Sequence, residues 1–334
     1  MNSLFLQFLK EMQNKGRLKF HENHSLSLVS TLGIGGRARV FVMPYDTDTL
    51  CRCVFLAARC GRYKVIGNAS NLLFDDCGFD GTVISTVKIK CITHILHPKG
   101  ESEKEILTLA GKNGAIYSAC GTMLPALNCY AMGKGISGFE GLCSVPATVG
   151  GALCLNAGAY GSEISDKLIA YGVYDPKINE KKLVFADKSR FSYRKSPIYK
   201  SGLVVLCAYF RADTDDISKI KAKTEKNKSL RRENQPQGVK SAGSYFKRPK
   251  KGEGRGDFRD KSAGQIIDMC GLKGSSVGGA EVSTKHANFL INASGNAGSG
   301  DMLRLAKFVK TVVYKRTGIA LREEVEYVPF KGEP

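Results

Sequence analysis

The chain has 334 residues, of which 43% are hydrophobic and 24% are charged. That length and balance exclude a disordered or low-complexity chain and predict a globular protein of two or three lobes. The 11 cysteines form no CxxC pair and no regular spacing, which excludes a disulfide framework or a zinc site and predicts reduced thiols in a cytoplasmic protein.

Positive charge is concentrated in one segment. The formal net charge is +19, and residues 219–261 carry 15 Lys/Arg against 5 Asp/Glu, a difference of +10. Clustered cations favour anionic partners, which include both nucleic acids and small anionic substrates. No helix-turn-helix, zinc-finger or RNA-binding signature accompanies the charge, so we expect no nucleic-acid partner.

Residues 1–30 predict an N-terminal helix and a lead-in. The apolar positions of LFLQFL, residues 4–9, suit one face of a short helix. This stretch is too short to span a bilayer, and it has neither a basic n-region nor a small-residue cleavage site. We therefore expect no membrane association.

Residues 31–212 alternate strands, helices and glycine turns in two subdomains, at about 31–95 and 96–212. In the first we predict the strands ARVFVMP, YKVIG and GTVIST, and the helix TDTLCRCVFLAARCG closed by Gly61. In the second we predict the strands ILTLAG, IAYGVYD and LVVLCAYF, and the helix TMLPALNCYAMGKG. This pattern is typical of a mixed α and β domain in which ligand loops follow strands.

Residues 213–334 predict a smaller α+β lobe. It begins with a charged helix over 215–233 and continues with the helix SAGQIIDMCG and the strand ANFLIN. The helix SGDMLRLAKFVKTVVYKRTG ends at Gly318. Four apolar residues are expected on one side of it: Leu305, Phe308, Val309 and Val312.

Two glycine-rich stretches, 65–81 and 135–166, predict binding of a diphosphate by main-chain groups. In the first, a strand runs into Gly-Asn-Ala-Ser-Asn, whose small side chains let backbone N–H groups converge on an anion. Each stretch alone is equally typical of an ordinary glycine turn. Neither is a Walker A loop or a Rossmann fingerprint, so together they favour a nucleotide bound by another architecture.

The stretch SAGSYFKRP, residues 241–249, has two interpretations. It is either a surface turn leading into a strand, or a small flexible loop that presents the Ser244 hydroxyl beside an anionic ligand. The following Lys-Arg pair is compatible with both.

Seven stretches, in order along almost the whole chain, carry a resemblance to a known family. They are TLGIGGRARVFVMP, VIGNASNLLFDDCGFDG, SGFEGLCSVPATVGGALCLNAGAYG, FSYRKSPIY, SAGSYFKRP, AGQIIDMCGLKGSSVGGAEVSTKHANFLIN and GIALREEVEYV. The sequence resembles the UDP-N-acetylenolpyruvoylglucosamine reductase (UDP-N-acetylmuramate dehydrogenase) family of bacterial peptidoglycan synthesis. The short link through RRENQP is similar to the second subtype of the family.

The resemblance implies an α+β fold, with a two-part FAD-binding domain of the PCMH/vanillyl-alcohol-oxidase type and a smaller α+β C-terminal substrate-binding lobe. It also implies non-covalent FAD. The residues expected at FAD are Gly67, Asn68, Ala69, Ser70, Asn71, Leu72, Pro146, Ala147, Thr148, Gly150, Gly151, Asn156, Ala157, Gly158, Ala159 and Tyr160. The sequence departs from the family pattern at Ala69 and Ala147, where most members carry glycine.

The implied reaction reduces UDP-N-acetylglucosamine enolpyruvate to UDP-N-acetylmuramate with NADPH as the hydride donor. Ser244 is the implied proton donor, Arg194 binds the substrate carboxylate, and Glu324 stabilises or protonates the enolic form. Three residues are expected at the substrate: Lys247, His286 and Asn288. No metal site is expected.

Two rival functions compete with this assignment. Another flavin oxidase of the same cofactor fold explains the FAD loops but not Arg194, Ser244 and Glu324 in matching contexts. A non-enzymatic nucleic-acid-binding protein explains the charge alone. We expect a cytoplasmic monomer whose partners are the UDP-sugar enolpyruvyl ether and NADPH.

Overall fold

Eight α-helices and seventeen strands are present in the computed structural model, which describes residues 3–332. The helices are α1 (Ser3–Asn14), α2 (Thr47–Cys60), α3 (Glu101–Ala110), α4 (Leu124–Gly133), α5 (Val149–Leu155), α6 (Ile217–Asn234), α7 (Ala263–Met269) and α8 (Ser299–Thr317). The strands are β1 (Leu18–Ser25), β2 (Arg37–Pro44), β3 (Tyr63–Ile66), β4 (Leu72–Phe74), β5 (Phe79–Ser85), β6 (Ile92–Ile95), β7 (Ala115–Ala119), β8 (Gly158–Ala159), β9 (Ser162–Glu163), β10 (Leu168–Asp175), β11 (Glu180–Phe185), β12 (Val204–Arg211), β13 (Lys240–Ser241), β14 (Ser276–Val277), β15 (Ala280–Val282), β16 (Leu290–Asn292) and β17 (Glu326–Val328).

The chain divides into two compact units, and each draws on several separate segments. Unit 1 contains the residues up to His21, Phe41–Asn68 and Gly81–Arg231, and unit 2 contains Glu22–Val40, Ala69–Asp80 and the chain from Arg232 onward. Four of the five divisions fall within β1, β2, β5 and α6, and the fifth falls between Asn68 and Ala69, after β3. Strands β1, β2, β5 and β3 form a four-stranded sheet in that order. The predicted domain limits at 30, 95 and 212 stay a prediction about the cofactor and substrate domains.

Unit 1 contains a five-stranded sheet of order β11-β10-β12-β7-β6, in which every neighbouring pair is antiparallel. Helix α3 packs against it through Ile106 and Ala110, which contact buried positions of β7 and β10. The predicted strand ILTLAG is wrong, because this stretch lies in α3. Ile106 and Ala110 are one helical turn apart, and Glu101 and Glu103 in the first turn complement the helix dipole.

Unit 2 is built around the antiparallel sheet β13-β16-β15-β14, with α8 packed against β14 and β15. The buried stripe of α8 consists of Met302, Leu305, Ala306, Val309 and Val313 among its apolar residues. The prediction that Phe308 shares this face is wrong, since its side chain is 44% exposed. At 100° per residue Phe308 lies about 120° from the centre of the stripe.

The other predicted elements are present with small changes of length. The strand predicted for ANFLIN is shorter, Leu290–Asn292, and the charged helix is α6. In the part of the chain that the structure describes, no helix is both long and apolar enough to cross a bilayer.

Candidate active site and cofactor site

Strand β3 ends directly against the N-terminus of α5 within unit 1. A Cβ atom at Gly67 would lie 2.2 Å from Oγ1 of Thr148, so a side chain at this position has no room. The Nδ2 of Asn68 donates to the carbonyl O of Pro146 at 2.9 Å. The first residues of the predicted cofactor segment 67–72 therefore contact the start of the second predicted segment.

The glycine pair after Thr148 begins helix α5 instead of forming an open loop. The N–H of Gly150 donates to the carbonyl of Cys120 at 2.8 Å, and the N–H of Gly151 donates to Oγ1 of Thr148 at 3.3 Å. A Cβ at Gly150 would also lie 3.2 Å from the Cβ of Cys120. These glycines therefore supply close packing and their N–H groups already have protein acceptors, and binding of a diphosphate by the main chain of this segment stays a prediction.

Ala69 adopts the left-handed conformation, with φ of 47°, and its side chain is buried. This is the position where the family pattern has glycine, and glycine adopts such a φ without steric cost. Within residues 3–332, no main-chain carbonyl accepts from the N–H groups of residues 69–71. This stretch of unit 2 retains donors of the kind that the predicted anion site requires.

We expect Ala69→Gly to change the free energy of unfolding by less than about 1 kcal/mol, because opposing effects nearly cancel. The left-handed conformation costs alanine about 1–2 kcal/mol, whereas glycine loses about 0.4–1 kcal/mol more backbone entropy and a buried methyl contributes about 0.8 kcal/mol. Ala69→Val should instead destabilise by more than about 2 kcal/mol, because β-branched residues tolerate this φ poorly. Urea denaturation measures both; an equally stable valine variant would contradict the strained backbone.

Asn156 links the end of α5 to the hairpin that carries Arg194. Asn156 is fully buried in the left-handed conformation, and its Nδ2 donates to Oε2 of Glu163 at 2.6 Å and to the carbonyl of Ser192 at 3.2 Å. No donor in the described part of the chain reaches its buried Oδ1. A buried acceptor without a partner is costly, so this atom is suited to an N–H or O–H group of a bound ligand.

Tyr160 lies at the tip of the β8-β9 hairpin. Tyr160 and Gly161 both have positive φ, 51° and 76°, as a type I′ two-residue turn requires. Burial raises the pKa of the Tyr160 hydroxyl, and the charge of Arg231 opposes that rise. Arg231 is itself half-buried, with a pKa lowered by burial. Sequence reasoning missed this arginine because it lies among many other cations of residues 219–261.

Arg194 occupies the tip of a tight turn in unit 1. Ser192 and Lys195 exchange two main-chain hydrogen bonds, 3.1 and 2.9 Å, and Arg194 between them has φ of 56°. Its Nη2 donates to the carbonyl of Gly158 at 3.2 Å. This bond holds the guanidinium against the predicted cofactor segment 156–160, and its binding of the substrate carboxylate stays a prediction.

Ser244 and Glu324 lie on adjacent segments of unit 2. Gly243 has φ of 75° and turns the chain before Ser244. The N–H of Glu324 donates to the carbonyl of Tyr245 at 2.8 Å, and Phe246 forms an antiparallel bridge with Glu323. The structure therefore brings together two of the three predicted catalytic residues through the main chain.

The two neighbouring glutamates differ in environment. Glu323 forms an ion pair with Lys310 at 2.7 Å, and its side chain is 40% exposed. Glu324 is half-buried, and its Oε2 is fully buried. The two carboxyl groups therefore differ: one oxygen of Glu324 is buried, whereas the charge of Glu323 is partly exposed and paired with Lys310.

Asn71 connects the predicted cofactor segment to the strand of Glu324. Its Nδ2 donates to the carbonyl of Glu324 at 2.9 Å, and its own carbonyl accepts from the N–H of Glu326 at 3.0 Å. Strand β4, which begins at Leu72, then pairs in parallel with β17. Asn71 therefore bonds the main chain of the segment that carries Glu324.

The predicted substrate residues have different surroundings. Lys247 is half-buried, and its N–H donates to the carbonyl of Arg322 at 2.8 Å. The Nδ1 of His286 accepts from the N–H of Asn288 at 3.2 Å, which places the ring proton on Nε2. Asn288 is buried, and both polar atoms of its side chain bond the main chain of Phe246. The structure thus favours a role for Asn288 other than the predicted ligand contact.

We expect the stability of the protein to fall as pH falls below about 6.5, with His286 as one source. Burial lowers the pKa of the His286 imidazole. The charge of Lys273 lowers this pKa further, and the charge of Asp268 raises it. The unfolded chain therefore takes up a proton near pH 6.5 that the folded protein does not accept until lower pH. His286→Asn keeps an acceptor near Nδ1 without titrating. Thermal denaturation between pH 5 and 8 should show a weaker pH dependence for this variant; an unchanged dependence would contradict the role of His286.

Comparison with known proteins identifies the family. Residues 235–328 match the C-terminal domain of UDP-N-acetylenolpyruvoylglucosamine reductase, and residues 38–177 match a FAD binding domain. The chain is 37% identical over 327 residues to the UDP-N-acetylenolpyruvoylglucosamine reductase of Caldicellulosiruptor bescii, which covers 97% of this chain and 95% of the relative. The chain belongs to the UDP-N-acetylenolpyruvoylglucosamine reductase family.

Other members agree with this assignment. The reductase of Carboxydothermus hydrogenoformans is 35% identical over 306 residues, or 91% of this chain and 92% of that one. The crystal structure of the Thermus caldophilus reductase has 31% sequence identity and a TM-score of 0.72, and covers 94% of this chain and 99% of that chain. The predicted family, the α+β fold with a FAD-binding domain and a C-terminal lobe, and FAD as cofactor are confirmed.

The residues of unit 1 fit FAD. Asn156 offers a buried acceptor to a ligand that carries hydroxyl groups and a ring N–H. Gly67 packs against the side chain of Thr148, which leaves no room for a larger residue at the end of β3. The identity of each individual FAD contact stays a prediction.

Proposed function

We propose that this chain is an oxidoreductase that uses FAD and NADPH to reduce UDP-N-acetylglucosamine enolpyruvate to UDP-N-acetylmuramate in peptidoglycan precursor synthesis. The observation that carries this proposal is the hydrogen bond from the N–H of Glu324 to the carbonyl of Tyr245, which holds Ser244 and Glu324 on adjacent segments. Family membership over nearly the whole chain supports the substrate.

Arg194 binds the carboxylate of the substrate. When bound, FAD supplies the hydride equivalent that NADPH has delivered, and its addition to the terminal vinyl carbon leaves negative charge beside the carboxylate. A guanidinium fork stabilises such charge, because its donors match the geometry of a carboxylate. The contact with Gly158 restrains the guanidinium at the cofactor segment.

Ser244 donates the proton that completes the reduction. An enolate-like species is a strong base, so a hydroxyl is acidic enough to protonate it when correctly placed. Glu324, whose Oε2 is buried, stabilises or protonates the enolic form. Lys247 contacts a phosphate or carboxylate of the substrate, and Nε2 of His286 donates to the uridine or diphosphate.

The proposal assigns residues 31–212 to the FAD domain and 213–334 to substrate binding, in a cytoplasmic monomer. Its 11 cysteines are free, which is compatible with a reducing compartment. The positive charge supports binding of an anionic nucleotide sugar and NADPH.

Anaerobic stopped-flow measurement of flavin absorbance tests the proposal directly. Mixing the FAD-loaded protein with NADPH should bleach the flavin, and subsequent mixing with UDP-N-acetylglucosamine enolpyruvate should restore the absorbance rapidly. Bleaching without recovery by this substrate would retain the FAD fold and exclude the proposed reaction. Rapid recovery with oxygen alone would favour the rival flavin oxidase.

A further inference from the structure

We propose that Asn288 is a positioning residue. It fixes the main chain that carries Ser244 relative to the main chain that carries Glu324. This inference rests on the proposed function, because it concerns the residues that handle the proton. It assigns Asn288 a role through the protein main chain in place of a contact with the UDP-sugar.

Asn288 makes three hydrogen bonds with the two residues that follow Ser244. The N–H of Tyr245 donates to its carbonyl at 2.7 Å, the N–H of Phe246 donates to its Oδ1 at 3.0 Å, and its Nδ2 donates to the carbonyl of Phe246 at 2.9 Å. The side chain of Asn288 thus bonds both the N–H and the carbonyl of Phe246, as the main chain of a neighbouring strand would. Such bonds between buried groups are costly to break, because each leaves a polar atom without a partner.

The same segment continues the connection to Glu324. The carbonyl of Tyr245 accepts from the N–H of Glu324 at 2.8 Å, and the N–H of Lys247 donates to the carbonyl of Arg322 at 2.8 Å. Tyr245 therefore bonds Asn288 on one side and Glu324 on the other. A displacement of Tyr245 and Phe246 therefore moves the backbone that carries Ser244 and the backbone that carries Glu324. Misplacement of a reacting group by about 1 Å can lower the rate by about 100-fold.

A second buried asparagine of unit 2 provides a matched control. The Nδ2 of Asn292 donates to the carbonyl of Leu32 at 3.1 Å, and its Oδ1 accepts from the N–H of Ala297 at 3.0 Å. Its exposed fraction is 4%, against 6% for Asn288. The two side chains make the same kinds of bond, but those of Asn292 do not involve the Ser244 segment.

The test compares Asn288→Ala with Asn292→Ala in the FAD-loaded full-length protein. We expect both variants to melt at lower temperature, and Asn288→Ala alone to oxidise its reduced flavin about 10- to 100-fold more slowly with saturating UDP-N-acetylglucosamine enolpyruvate. The KM for this substrate and the rate of reduction by NADPH should change by less than about twofold. Asn288→Asp, which keeps the acceptor for Phe246 but loses the donor, should also be slower than the unmodified protein.

Several outcomes would overturn the inference. Equal slowing in Asn292→Ala would indicate general destabilisation, and a raised KM with an unchanged limiting rate would indicate the ligand contact. If Asn288→Ala and Asn288→Asp both reoxidised their flavin as fast as the unmodified protein, Asn288 would have no positioning role. Amide hydrogen exchange at Tyr245 and Phe246 tests the inferred restraint without the reaction: it should accelerate in Asn288→Ala and not in Asn292→Ala. Unmodified protein that binds FAD but is not reoxidised by the substrate would instead refute the proposed function.

Discussion

Ser244→Ala is expected to slow oxidation of the reduced enzyme by UDP-N-acetylglucosamine enolpyruvate by about 10²–10⁴-fold, the usual contribution of a positioned general acid. Reduction of FAD by NADPH should be nearly unchanged, since that half of the cycle needs no proton from Ser244. Alanine fits the same backbone, because Ser244 follows Gly243, the residue with positive φ, and does not itself require that conformation. Anaerobic stopped-flow absorbance measures the two half-reactions separately.

Ser241→Ala is the matched control for this variant. Ser241 belongs to the same loop, three residues earlier, where it pairs with Ile291 across β13 and β16. Both half-reactions should keep their rates in the control. If Ser244→Ala slowed both half-reactions equally, the loop would be structural, and the assignment of Ser244 as proton donor would be wrong.

The second large effect is expected for Glu324→Gln. Glutamine keeps the shape of the side chain but cannot transfer a proton, so oxidation by the substrate should slow by about 10²–10⁴-fold with little change in reduction by NADPH. The main-chain bonds of Glu324 to Tyr245 and Asn71 are retained, so the fold should not be affected. Anaerobic stopped-flow absorbance measures the limiting rate at which the substrate reoxidises the flavin, beside the rate of reduction by NADPH.

Glu323→Gln separates this effect from a general change of charge. Glu323 adjoins Glu324 and also carries a negative charge, but it is paired with Lys310 at the surface. Exposed ion pairs contribute little to stability, typically about 0.2–1 kcal/mol, so this variant should fold and react normally. Comparable slowing in the two variants would assign the effect to local electrostatics and remove Glu324 from proton transfer.

Local sequence patterns predict many of the helices and strands of this protein. The helix ended by Gly61 and two strands of the five-stranded sheet, β10 and β12, follow from apolar runs and from glycine at a turn, whereas β6, β7 and β11 were not predicted. The apolar run that begins at Ile106 was wrongly predicted as a strand and lies in α3, because a short apolar run fits either a strand or one turn of a helix. Periodicity also misplaced Phe308, because an apolar residue beside a buried stripe is not necessarily part of it.

The family and its cofactor could be recognised from the sequence, because ordered motifs run along almost the whole chain, and the catalytic residues stay predictions. Hydrogen-bond partners could not be recognised. Asn288 and Phe246 are 42 positions apart, and Asn71 and Glu324 are 253 apart. Hydrogen bonds between residues so far apart in the sequence leave no local pattern. The sequence therefore cannot distinguish an asparagine that binds a ligand from one that bonds the protein main chain. Only the tertiary structure decided that Gly150 supports packing, that Asn156 retains a buried acceptor, and that Asn288 restrains the segment after Ser244.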